Sequence, residues 1–204
     1  GIVYEGNSPV TAMIEYKGGV LTAFTNADNK TRSNRIHWSP NGRNLGNPFA
    51  GSPVVYQGDS PVTGMLRIGE TGVLVSMYNV DGIAGQNAIF WYGDFDPTKA
   101  GWDPTVRTQT LQDKGHLVDE GHSEVTAMVA METTTTKANS EAQAKSAIET
   151  TIWVAFNNVE NNVNVHRVHK CEKFDPAAFD VTTPLTIGRC PVVYGGLSPV
   201  TALL

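Results

Sequence analysis

Hydrophobic and polar positions alternate along this chain in short runs, and the runs come in sets of four. The first set reads "PVTAMIEY", "VLTAFTN", "RIHWS" and "SPVVYQG", separated by Lys17-Gly18-Gly19, by "ADNKTRSN" and by "PNGRNLGNPFAG". Val, Ile, Thr and aromatic residues fill the runs, while Gly, Pro, Asn and Asp fill the gaps, which is the chemistry of strands joined by tight turns. A second set follows as "PVTGMLRI", "VLVSMYN", "AIFWY" and a run near "TVRTQTLQD" or "HLVDEG". The third is "EVTAMVAM", "IWVAFNN", "VNVHRVHK" and "CPVVYGG". In the third set, residues 132–151 replace the tight first turn, and their Thr-rich ends and Ala-, Glu- and Lys-rich middle predict a protruding, part-helical excursion.

One phrase links the sets. "YEGNSPVTAM", "YQGDSPVTGM", "DEGHSEVTAM" and "YGGLSPVTAL" align on Gly6, Gly58, Gly121 and Gly196, with periods of 52, 63 and 75 residues. Periods of this size belong to blades or arrays. Four antiparallel strands per period predict an all-β propeller with the "PVTAM"-type strands innermost and in equivalent places; a β-trefoil is the rival. The linking glycines allow a sharp turn, Ser8, Ser60, Ser123 and Ser198 can tie it, and Pro9, Pro61 and Pro199 start strands. The expected organisation is a single repeat domain over residues 1–204, with repeats at about 8–59, 60–122 and 123–197 and a partial one at 198–204. The chain opens on a fourth-strand run and stops after a first-strand run, so a homo-oligomer completing the blade ring is a partner expectation.

Composition narrows the function classes. The formal net charge is -5 and the 15 Lys and Arg are scattered, so no basic stripe points to nucleic acid. No apolar run is long enough to span a membrane as a helix. A start at Gly1, an even pair of cysteines and the sequon at Asn29 together predict a secreted protein. Cys171 and Cys190 flank a long loop between antiparallel neighbours and are expected to form a disulfide.

Candidate chemistry lies in the turns. "NADN", "NVDG" and "NVEN" place an Asn and an acid in each repeat, too few oxygen ligands for calcium, and they read as hairpins. His166 and His169 in "VHRVH" sit on opposite faces of a strand, so no metal or other cofactor is expected. No carboxylate pair is singled out for glycosidase work, and the chain is expected not to be an enzyme. "WSPNGRNLG" and "WYGDFDPTKAGWD" instead combine an aromatic ring with hydroxyl-matching groups. Trp38, Asn41, Arg43, Asn44, Trp91, Asp94 and Asp96 are therefore the expected ligand-binding residues.

With these blades, aromatic loops and no catalytic set, the chain resembles the repeat-based β-propeller lectins of the tachylectin and tectonin kind. That resemblance implies a lectin with multivalent glycan sites on propeller loops. The alternative is a protein-interaction scaffold that uses the 132–151 insertion as its contact surface.

Overall fold

In a computed structural model, residues 7–27, 30–40, 42, 54–70, 72–93, 96–97, 115–137, 145–159, 162–175 and 187–203 are described. They form twelve strands: β1 (Val10–Tyr16), β2 (Gly19–Phe24), β3 (Asn34–Ser39), β4 (Val54–Gly58), β5 (Val62–Ile68), β6 (Gly72–Met77), β7 (Asn87–Tyr92), β8 (His116–Gly121), β9 (Glu124–Lys137), β10 (Lys145–Asn157), β11 (His166–Cys171) and β12 (Val192–Gly196). Each sequence set makes one four-stranded antiparallel sheet in chain order, β1–β4, β5–β8 and β9–β12. The fourth strand of the second sheet is "HLVDEG", and residues 105–113 lie outside the described residues.

Register repeats with the sequence. In each first strand one threonine, Thr11, Thr63 or Thr126, is skipped by the partner strand, as in a β-bulge. The bulge replaces the expected strict alternation: Val62 and Met65, three apart, both turn into the core. The second-to-third turns share a device as well. Asn26, Asn79 and Asn158 all have φ near the left-handed region, at 48°, 50° and 49°. Each Asn side-chain oxygen then accepts from the backbone N–H of the residue six further on, Arg32, Gly85 and Asn164. These asparagines are committed to holding hairpins.

The part-helical excursion is corrected. Residues 132–137 continue β9 and residues 145–151 belong to β10, paired in unbroken register from Thr136 with Ser146 to Met131 with Thr151. Threonines favour the extended backbone, and two strands already aligned by the sheet extend at little further entropic cost. Near the sheet, the Glu132 carboxylate accepts from the Gly69 N–H at 2.6 Å and braces this ribbon against the turn of the second sheet.

Both the propeller and the trefoil are corrected. The first strands lie side by side in the order β1, β5, β9, but no comparable seam joins β9 back to β1 among the described residues, and the three sheets remain separate. The two outward faces show the consequence. Met65 of β5 is 8% exposed while its equivalent Met13 of β1 is 58% exposed. On the other side Val54 of β4 is 2% exposed while its equivalent Val192 of β12 is 49% exposed. Closure would cover Met13 and Val192 as the internal junctions cover Met65 and Val54, so the expected ring is not formed.

Cys171 at the end of β11 and Cys190 beyond the Ile187–Arg189 3-10 turn are joined by a disulfide. A structural disulfide is consistent with an oxidising, extracellular environment. Met65→Ala should cost about 2–4 kcal/mol in denaturant unfolding, whereas Met13→Ala should stay within about 0.5 kcal/mol. Reduction of Cys171–Cys190 should lower stability by about 3 kcal/mol in the same measurement, from the loop entropy returned to the unfolded chain.

Candidate functional site

A tyrosine seals the link that leads out of the first sheet. Tyr56 is buried, and its hydroxyl donates to the Ser60 carbonyl at 2.9 Å. Its ring crosses Gly58 so closely that a Cβ there would stand 2.7 Å from the phenolic oxygen. Asn34 ties the same link by donating from Nδ2 to the Asp59 carbonyl at 2.9 Å. Beyond β12 the joint recurs: the Tyr194 hydroxyl donates to the Ser198 carbonyl at 3.1 Å across Gly196.

The link out of the second sheet departs from this plan. Ile36 faces Tyr56, Val168 faces Tyr194, and at the matching place Ile89 faces Asp119. A carboxylate is shorter than a phenol and, when ionised, cannot donate to a carbonyl. The space above Gly121 is accordingly open, with nothing within 4 Å of where its Cβ would stand. Asn87, the counterpart of Asn34, still accepts from the Asn79 N–H at 3.4 Å, but its buried Nδ2 has no acceptor among the described residues.

A cleft of about 380 Å³ occupies this place between the second and third sheets. Its walls match the surroundings of Tyr56 position by position. Where Tyr56 shares a buried cluster with Val62, Met77, Val80, Ala88 and Phe90, the cleft has Val125, Phe156, Val159, Arg167 and His169. Two apolar neighbours have thus become cationic or titratable side chains, on β11. Glu120 and His122 complete the polar rim; Glu120 accepts from the Gln86 amide, and the His122 Nδ1 donates to the Gly85 carbonyl at 3.1 Å.

Asp119 is the chemically distinctive group. Burial pushes its carboxyl above the usual aspartate range, against opposing pulls from the Gly188 backbone N–H, from His169 and from the Ile187 backbone. The Gly188 bond is long, at 3.5 Å. His169 donates from Nδ1 to the Cys190 carbonyl at 2.9 Å and meets Phe156 edge-on, which fixes its ring. The disulfide therefore anchors the carbonyl that orients one cleft imidazole. The arrangement can bind a group that complements a poorly solvated carboxylate and an unmatched amide N–H.

The expected ligand-binding residues are placed differently. Trp38 and Trp91 are each only 8% exposed and belong to the two cores. The Trp38 indole donates to the Tyr16 carbonyl at 3.1 Å and covers Gly19, and the Trp91 ring lies over Gly72 in the space a Cβ would need. Those two glycines turn the tryptophans inward, so no stacking face is presented to a sugar, and the lectin reading is corrected on this ground. Asn41, Arg43, Asn44 and Asp94 lie outside the described residues, and Asp96 is half-buried. The scaffold alternative is corrected too, because residues 132–137 and 145–151 serve as continuations of the third sheet. Among the described residues no group of His, Cys, Asp and Glu could hold a metal ion, and no helix is long and apolar enough to cross a membrane.

The raised carboxyl of Asp119 has a sign. Its proton is held more tightly in the folded chain, so its contribution to stability is present below the ordinary aspartate range and is lost as pH rises through the raised value. Asp119→Asn should therefore raise the thermal midpoint at neutral pH, and the difference from the wild type should vanish in acid, below the ordinary aspartate range.

No protein-family model matches the chain, and no curated protein matches it. Among solved structures, the crystal structure of the computationally designed Ika4 protein is 12% identical, with the alignment covering 100% of this chain and 83% of that one at a TM-score of 0.42. A likeness that distant carries neither fold nor function across. With three separate sheets and buried tryptophans, the resemblance to tachylectin and tectonin lectins, with its glycan partners, is corrected.

Proposed function

We propose that this chain is an extracellular binding protein, not an enzyme, whose ligand seat is the cleft between its second and third sheets. The observation that carries the reading is the exchange of the sealing tyrosine for Asp119 at one of the repeated joints, with a cleft of about 380 Å³ left where the ring would lie. That volume falls in the range of small-molecule sites. Its walls combine apolar side chains, Val125, Phe156 and Val159, with a few converging polar groups, as such sites require. The binding class is favoured over catalysis because the remaining joints of the same design are purely structural, and this one differs from them by an opening and a charge. The disulfide supports the extracellular setting.

Asp119→Tyr should restore the seal seen at Tyr56, with the new hydroxyl reaching the Ser123 carbonyl. Thermal and denaturant unfolding should then show a gain of about 1.5–3 kcal/mol, the scale of burying one large side chain. A small-molecule library screened by ligand-observed NMR should give hits with the wild type that the Asp119→Tyr chain loses. Hits retained by the filled variant would place binding elsewhere and end this reading.

A further inference from the structure

The missing ring defines its own replacement. At the first joint the side chain of Tyr56 starts opposite Ile36, runs across Gly58 and ends with its hydroxyl on the Ser60 carbonyl, beside the Asn34 amide that serves the same link. At the second joint the starting point is the Asp119 carboxylate opposite Ile89, the floor is the open Gly121, and the far end is bounded by Ser123 and by the buried Asn87 Nδ2 that has no acceptor among the described residues. A molecule lying along this path needs a cation at one end, a flat ring in the middle and an oxygen at the other end. Val125, Phe156 and Val159 supply apolar wall for the ring, as Val62, Met77 and Val80 do around Tyr56.

We infer that the cleft takes a small hydroxyphenyl-alkylamine, with its ammonium on Asp119, its ring over Gly121 and its phenol oxygen accepting from Asn87. This rests on the binding reading of the same cleft. The amine replaces by an ion pair the covalent attachment that a tyrosine side chain has to its own strand, so the ligand supplies from solution the group that the sequence omits. The phenol retains a donor for the Ser123 carbonyl while its lone pairs meet Asn87. A cation beside a carboxylate that burial has partly deprived of water gains more than it would at an open surface. Charged and titratable groups facing Asp119 come from three elements: Glu120 on its own strand β8, His122 on the link, and Arg167 and His169 on β11. His169 already pulls on the Asp119 carboxylate, so the ligand's ammonium shares that group with the fixed imidazole.

Isothermal titration of the full disulfide-bonded chain with tyramine tests this, with p-cresol lacking the amine, phenethylamine lacking the hydroxyl and n-butylamine lacking the ring. Tyramine should bind best, and each partial probe should bind about tenfold more weakly or worse. Asp119→Asn should weaken tyramine by a similar factor of about ten or more while leaving p-cresol unchanged. Asn87→Leu should abolish the advantage of tyramine over phenethylamine; should that variant not fold, the tyramine-to-phenethylamine ratio of the wild type decides the same point. If p-cresol or n-butylamine matches tyramine, or if Asp119→Asn binds tyramine as the wild type does, the ligand class is wrong. Library hits that Asp119→Tyr removes, together with no tyramine binding, would overturn this inference and leave the cleft reading standing. Silence from every probe and from the library would overturn both.

Discussion

A phenol hydroxyl bonded to a carbonyl four residues downstream is the fastening by which one sheet hands the chain to the next. Tyr56 makes it to Ser60 and Tyr194 makes it to Ser198. Each requires glycine two residues on, because the ring occupies the volume of any Cβ at Gly58 or Gly196. The fastening satisfies a backbone acceptor in a segment that has left the ladder. At Tyr56, which is buried, it also fills the space beside the link with a large apolar ring. Both tasks fail together when the tyrosine is absent, which is why one exchange leaves an open cleft and a bare glycine, beside an asparagine amide with no acceptor among the described residues.

Much of the strand plan was legible in the residues. Runs such as "VLTAF" and "VLVSM", bounded by Gly, Asn and Pro, became β2 and β6, and each set of four became one sheet. Side-chain direction was less legible. Trp38 and Trp91 beside polar turns read as ligand platforms, yet what turns them inward is the absence of a side chain at Gly19 and Gly72 on the neighbouring strand. That information is not local to the tryptophans. The bulges at Thr11, Thr63 and Thr126 were hidden for a related reason, since a skipped residue is visible only against its partner strand.

The cleft did leave a trace in the sequence. Aligned on the linking glycines, Tyr4, Tyr56 and Tyr194 fall in one column with Asp119. The repeat drew attention to what was shared, whereas the site lies where the copies differ. Closure, by contrast, had no trace at all: similar sheets side by side are compatible with a ring or with an open arrangement, and burial of Val54 against exposure of Val192 distinguishes them only in three dimensions.

The near-identical first strands have a kinetic side. β1, β5 and β9 carry almost the same residues and the same bulge, so any of them could seek the second strand of a neighbouring set, and a one-residue slip would turn its core side chains outward. Connection length counters this. β1 ends at Tyr16 with β2 beginning at Gly19, and β5 ends at Ile68 with β6 beginning at Gly72, so each strand meets its own partner within a short search. The third pair is separated by more residues and instead carries the longest matched register among the described residues, from Lys137 with Lys145 to Glu124 with Asn157. Extra ladder length there does for partner choice what proximity does in the first two sheets, so the ribbon that projects from the third sheet acts as a zipper that rejects the wrong mate.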